Sequence, residues 1–170
     1  YSHLLDLKIK KNHPRTLLIV TSYMQEEIIF QLNILSKALP NLNFERIWVK
    51  QHPYAPVEDI IKKLAMSEKV EVKESHISSL LEESDVVFTG NDTTVSIESI
   101  YLNIPAVSMA SKGIDMHPLR GLGITLISSP ADLIRFTNEP ISPKVGKNVF
   151  LLDKSLKMWK NLIFRSLQLT

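Results

Sequence analysis

The chain has 170 residues, 44% of them apolar, which suffices for one core and demands no second folding unit. Twenty basic against eighteen acidic residues leave a formal charge of +2, so no overall field draws the surface to nucleic acid or to a membrane. Cysteine is absent, which excludes disulfides, thiolate metal sites and a cysteine nucleophile and fits a reducing, cytoplasmic compartment.

The sequence starts at Tyr1 rather than at a methionine, as expected of a piece of a longer protein. Residues 1–15 are a polar, basic lead-in without the apolar run of a signal peptide. No stretch reaches the roughly 18 apolar residues of a membrane-spanning helix. Thr16 to Ser22, TLLIVTS, is a short run rich in branched residues, as expected of a strand buried on both faces. Ile28, Leu32, Leu35 and Leu39 then repeat at helical spacing between Met24 and Leu39, and Pro40 ends the pattern. Phe44 to Lys50 reads as the next strand, and Pro53 and Pro56 mark the turn into a helix over about Val57 to Met66.

Val70 to Val72 predicts a short strand, Ile77 to Glu83 a short helix, and Asp85 to Thr89 another buried strand. A helix from about Thr93 to Leu102, the strand IPAVSMA, a glycine-containing loop, the strand ITLIS and a helix from Pro130 to Thr137 complete the series. Alternation of this kind predicts an α/β domain, a parallel sheet with helices on both faces, over residues 16–140. Residues 141–170 form a linker and a closing amphipathic helix. Leu152, Leu156, Trp159 and Ile163 fall on one face, with Lys154, Lys157, Lys160 and Arg165 among the other positions. Packing against this domain or a neighbouring one is the favoured reading of that stripe, and peripheral contact with a membrane surface is the other.

In an open parallel sheet, ligands bind beyond the carboxyl ends of the strands. At one such place stand Thr89, Gly90, Asn91, Asp92, Thr93 and Thr94. Gly90 permits a tight turn or close backbone approach, and the first amides of the next helix lack internal partners, which suits a phosphate. Thr93 and Thr94 add hydroxyls, and Glu98 follows Thr94 by one helical turn, where a carboxylate would accept from the hydroxyls of a ribose. The plain alternative makes Asp92 or Thr93 a helix cap and Glu98 a solvated residue. Lys50, His52 and Pro53 follow a predicted strand and project from the same edge, where an imidazole can donate to a phosphate oxygen. His-Pro also occurs at His13 and His117; those copies read as a polar lead-in and a surface turn, although Lys112, Asp115, His117 and Arg120 follow a strand and stay open as base or sugar contacts. The turn TSYMQEE lacks the glycines of a dinucleotide-binding loop, and GLGITL precedes a strand rather than a helix.

These motifs resemble the carboxyl-terminal, nucleotide-sugar-binding half of GT-B glycosyltransferases, especially those that build bacterial capsules and other surface polysaccharides. The match rests on Lys50, Gln51, His52 and Pro53, on the aspartate-led strand Asp85 to Phe88, on Thr93, Thr94, Glu98 and Pro105, and on the short helix at Ser75 to Leu81 before the aspartate. Ser99 stands where the family commonly has alanine, and Asn103 where it commonly has glycine; asparagine enters left-handed backbone more readily than most residues. The resemblance implies a Rossmann-like three-layer fold, one half of a GT-B enzyme, whose amino-terminal acceptor domain is missing from this chain. It implies that His52, Thr93 and Thr94 contact the phosphates of a nucleotide sugar, that Glu98 holds its ribose, and that His52 helps stabilise the departing nucleoside phosphate. It further implies no cofactor and no required metal, and a cytoplasmic place, at the inner face of the membrane if the tail binds lipid. A nucleotide-sugar 2-epimerase of the same fold and a non-catalytic α/β interaction module are the alternatives.

Overall fold

The computed structural model of the chain describes residues 2–10, 12–110, 117, 124–141 and 155–167. Six strands form one sheet: β1 Thr16–Val20, β2 Arg46–Lys50, β3 Glu71–Val72, β4 Val86–Thr89, β5 Ala106–Met109 and β6 Thr125–Ile127. Their order is β3-β2-β1-β4-β5-β6, and every pairing is parallel. The helices are α1 Gln25–Ala38, α2 Glu58–Lys63, α3 Ile77–Leu81, α4 Val95–Tyr101, α5 Pro130–Asn138 and α6 Lys157–Leu167.

Side chains of a strand alternate between faces, and the central strands divide their apolar residues accordingly. Leu17, Ile19, Ile47, Val49, Phe88, Val107 and Met109 join Ile28, Leu32 and Leu35 of α1, Ile61 of α2 and Leu133 of α5 in one core. Leu18, Val20, Trp48, Val87 and Ala106 join Leu80 and Leu81 of α3 and Val95 and Ile100 of α4 in the other. All five residues of β1 are buried because helices cover both sides of it. This is the Rossmann-like three-layer α/β fold expected from the alternation of elements.

Where the helices stop is set by the backbone. Beyond α2, Ala65 takes φ 53°. Its N–H bonds to Lys62 O and the Met66 N–H to Ile61 O, a Schellman closure that returns Met66 to the core four residues before the predicted strand. Asn103 does the same after α4 at φ 59°, with its N–H on Ile100 O and the Ile104 N–H on Ser99 O. The left-handed conformation anticipated for Asn103 is the one observed.

The lead-in is folded onto the domain. Ser2–Leu5 form a 3-10 turn with Leu4 buried, and the amides of Lys8 and Lys10 bond to the side chain and backbone carbonyl of Glu82. At the other end, Met158, Trp159, Leu162, Ile163 and Phe164 of α6 are all more than half exposed. That face is therefore exposed among the described residues, and Leu152 and Lys154 lie outside them.

Candidate functional site

The sheet changes direction between β1 and β4: the chain leaves β1 for α1 on one face and leaves β4 for α4 on the other, so the two exits diverge and open a crevice. The floor of that crevice is tightly specified. The Gly90 N–H donates to Val20 O at 2.9 Å, and the buried Ser108 hydroxyl donates to Gly90 O at 2.9 Å. From α1, the fully buried Gln31 reaches both strand ends, its Nε2 donating to Val20 O at 3.3 Å and Phe88 O at 3.2 Å. Ser22 donates to Asp92 Oδ2 at 3.1 Å and accepts from the Met24 N–H at 3.1 Å, joining the two exits and closing the turn that leads into α1 without a glycine.

Around this floor several buried oxygens have no hydrogen-bond partner: Thr21 Oγ1, Thr89 Oγ1, Asn91 Oδ1 and Asp92 Oδ1. Buried polar groups are normally satisfied, so their concentration at the strand exits marks this as the polar end of the sheet. Thr93 Oγ1 accepts from the Val95 N–H at 3.3 Å and so caps α4, while Thr94 is exposed and makes no cap bond. Thr93 and Thr94 thus differ: one closes the helix, and the other offers its hydroxyl to solvent.

Glu98 is buried, unlike the solvated residue of the plain reading, and Thr94 one turn before it does not share its surroundings. Its Oε2 lacks a hydrogen bond and lies 3.6 Å from Nε2 of His3, brought there by the lead-in turn. Sequence reasoning missed His3 because nothing in the polar lead-in signals where it docks; the buried Leu4 is what fixes it.

His52 follows β2, next to β1 in the sheet, so about two strand spacings, roughly 10 Å, separate it from the β4 exit. Its Nδ1 accepts from the Tyr54 N–H at 3.3 Å, which leaves Nε2 to carry the proton of the neutral ring and to donate outward. The turn is braced by Gln51, whose Oε1 accepts from the Val57 N–H at 2.8 Å and whose Nε2 donates to Glu58 and Glu74 carboxylates. Pro53 is exposed within this turn. Lys50 is turned aside, its ammonium donating to Glu74 O at 3.0 Å beyond β3. The His52 ring is flanked by Tyr23 at 5.9 Å and Tyr54 at 5.7 Å between centroids.

One residue of the loop after β5, His117, is described and buried; Lys112, Asp115 and Arg120 lie outside the described residues. On the α1 side of the same edge, Met24 to Glu27, Phe30, Met109 and Ala110 line an open hollow of about 690 Å³. Among the described residues, no group of three or more histidine, aspartate or glutamate side chains is placed to hold a metal ion, and no helix is long and apolar enough to cross a membrane.

No protein-family model matches the sequence, and neither does any curated protein. Solved structures do resemble the fold. UDP-GlcNAc 2-epimerase from Methanocaldococcus jannaschii superposes with a TM-score of 0.62 at 14% identity, over 96% of this chain and 48% of its own. Sucrose-phosphate synthase from Thermosynechococcus elongatus gives 0.62 at 13% identity, over 96% of this chain and 50% of its own. MurG from Acinetobacter baumannii gives 0.55 at 14% identity, over 79% and 45%. The chain spans about half the length of these proteins, and its fold is the Rossmann-like α/β fold found in GT-B glycosyltransferases and in the epimerase.

Proposed function

We propose that this chain is the nucleotide-sugar-binding half of a GT-B glycosyltransferase, acting with an amino-terminal acceptor domain in the synthesis of a capsule or other surface carbohydrate. The observation that carries this reading is the pairing of Tyr54 N–H with His52 Nδ1, which aims an Nε2 donor outward at the same sheet edge as the β4–α4 turn. A phosphate between the two turns would take Nε2–H from His52 and the hydroxyl of Thr94, next to the amides that open α4. Thr89, Gly90 and Asn91 shape the floor below it. Glu98 would accept from ribose hydroxyls once His3 moves aside, and Lys50 and Pro53 hold the His52 turn rather than touch the ligand.

Transfer then follows from charge placement. As an acceptor hydroxyl attacks the anomeric carbon, negative charge builds on the departing phosphate, and donors already aimed at it stabilise that charge without reorganising. Neither a metal nor a cofactor is needed by this scheme, and the cytoplasm, at the inner membrane face through α6, is the compartment it fits. A 2-epimerase is a second reading, favoured by the fold likeness to the M. jannaschii enzyme, and it would use the same phosphate contacts.

Calorimetric titration with CMP, CDP, UDP and GDP tests the proposal. One nucleotide is expected to bind, with binding lost in His52→Ala and Glu98→Ala while both variants stay folded. Absence of binding at millimolar concentration by a folded chain would instead favour an interaction module. With the longer parent chain, free nucleotide and glycosylated acceptor identify a transferase, whereas an isomerised nucleotide sugar identifies an epimerase.

A further inference from the structure

Tyr54 is 90% exposed and Tyr23 61% exposed, although both are large aromatic side chains at the ligand-binding edge of the sheet. They leave different strands, Tyr23 following β1 and Tyr54 following β2, and both lie against the His52 ring, at interplanar angles of 54° and 49°. The turn that presents Tyr54 is stiff. It is closed by the Ala55 N–H on His52 O at 2.9 Å, by the Tyr54 N–H on His52 Nδ1, and by the Gln51 bonds. Water-exposed aromatic rings held on a braced turn are disfavoured unless something covers them, and a pre-positioned ring costs little entropy when it is covered.

The order of groups along the edge says what would cover them. Across the sheet, Glu98 lies on α4 at one side, the β4 and β1 exits come next, and His52 lies beyond β1 with the tyrosines around it. A nucleotide sugar is linear in the same sense: ribose, phosphate, sugar. With the ribose toward Glu98 and the phosphate between Thr94 and His52, the glycosyl group continues to the His52 ring and the two tyrosines beside it. There the C–H faces of a sugar ring meet the electron-rich faces of aromatic side chains.

We propose that Tyr23 and Tyr54 form a platform for the transferred sugar of the donor, distinct from the groups that hold its nucleotide; this rests on the nucleotide-sugar reading given above. The platform discriminates by ring shape and not by charge, since no ionised side chain is part of it.

The test compares each nucleotide with its own sugar derivative on the 170-residue chain: UDP with UDP-N-acetylglucosamine, GDP with GDP-mannose, and CMP with CMP-N-acetylneuraminate. In the pair that the chain binds, the sugar derivative is expected to bind more tightly than the bare nucleotide. Tyr54→Ala and Tyr23→Ala should each remove about three- to tenfold of that gain while leaving the bare nucleotide within about twofold. Tyr54→Phe and Tyr23→Phe should retain it, which also controls for folding. Equal loss for nucleotide and sugar derivative would assign the rings to the base or the phosphate and overturn the platform, as would an unchanged gain in both alanine variants. If no nucleotide binds the folded wild-type chain, the nucleotide-sugar reading itself fails and the platform with it.

Discussion

Gly90 touches Ser22 across the crevice between β4 and β1: a Cβ added at Gly90 would lie 3.0 Å from the Ser22 amide nitrogen and 3.2 Å from its Cβ. The obstacle is backbone, which cannot swing away as a flexible side chain would. Gly90→Ala is therefore expected to destabilise by about 1–3 kcal/mol, the usual range for overpacking. Urea unfolding measures it, and Ser22→Gly in the same chain should restore little, because the nearest atom is still present.

Gln31 ties the same two strands from the opposite side. Gln31→Leu keeps the volume but removes both side-chain bonds that tie Val20 O to Phe88 O. A loss of about 1–3 kcal/mol is expected, together with faster hydrogen exchange at the Gly90 amide, which donates to Val20 O.

Ala65 and Asn103 close their helices in the same left-handed geometry but with different residues. Alanine pays a steric cost there that glycine does not, and Ala65 is exposed, so no packing is lost on substitution. Ala65→Gly is expected to raise stability by about 0.5–1 kcal/mol, whereas Asn103→Gly should change it by only a few tenths. Thermal melts of the two variants side by side decide the comparison.

The parts of the fold that were legible in the sequence are those where one physical signal dominates. Thr16–Val20 and Val86–Thr89 read as buried strands because helices on both faces leave no polar alternation in them. Boundaries were less legible: α2 stops at Lys63 because Ala65 turns left-handed, and alanine carries no sequence mark of that conformation. For the site, Gly90, Thr93 and His52 could be located from strand order alone. Ser22, Gln31 and Ser108 could not, since their roles arise from contacts between segments 11 to 70 residues apart. The same holds for His3 against Glu98.

Acid stability has an identifiable contribution from α5. The Ser129 hydroxyl, first, and then the Ser128 amide and the Arg135 guanidinium hold the Asp132 carboxyl below the usual aspartate range, with burial opposing them. Folding lowers this pKa, so the stabilisation is present above about pH 4 and is lost as pH falls through the folded value. Asp132→Asn should flatten the decline of stability below about pH 4, but only in part, because Glu83, lowered first by its hydrogen bond from Lys10, titrates in the same direction. At neutral pH, Ser129→Ala should cost about 1 kcal/mol, since Ser129 Oγ accepts from the Asp132 N–H as the N-cap of α5. Chemical denaturation across pH checks both.

The most direct measurement is an amide and imidazole NMR titration of the folded chain with the nucleotide that binds in calorimetry. Joint shifts at Ser22, Tyr54 and Gly90 to Val95, with a change at the Nε2 proton of His52, are the result expected for a phosphate held between the two turns. Shifts confined to the hollow lined by Met24 to Glu27, Phe30, Met109 and Ala110, with His52 and the β4–α4 turn unmoved, would contradict the account.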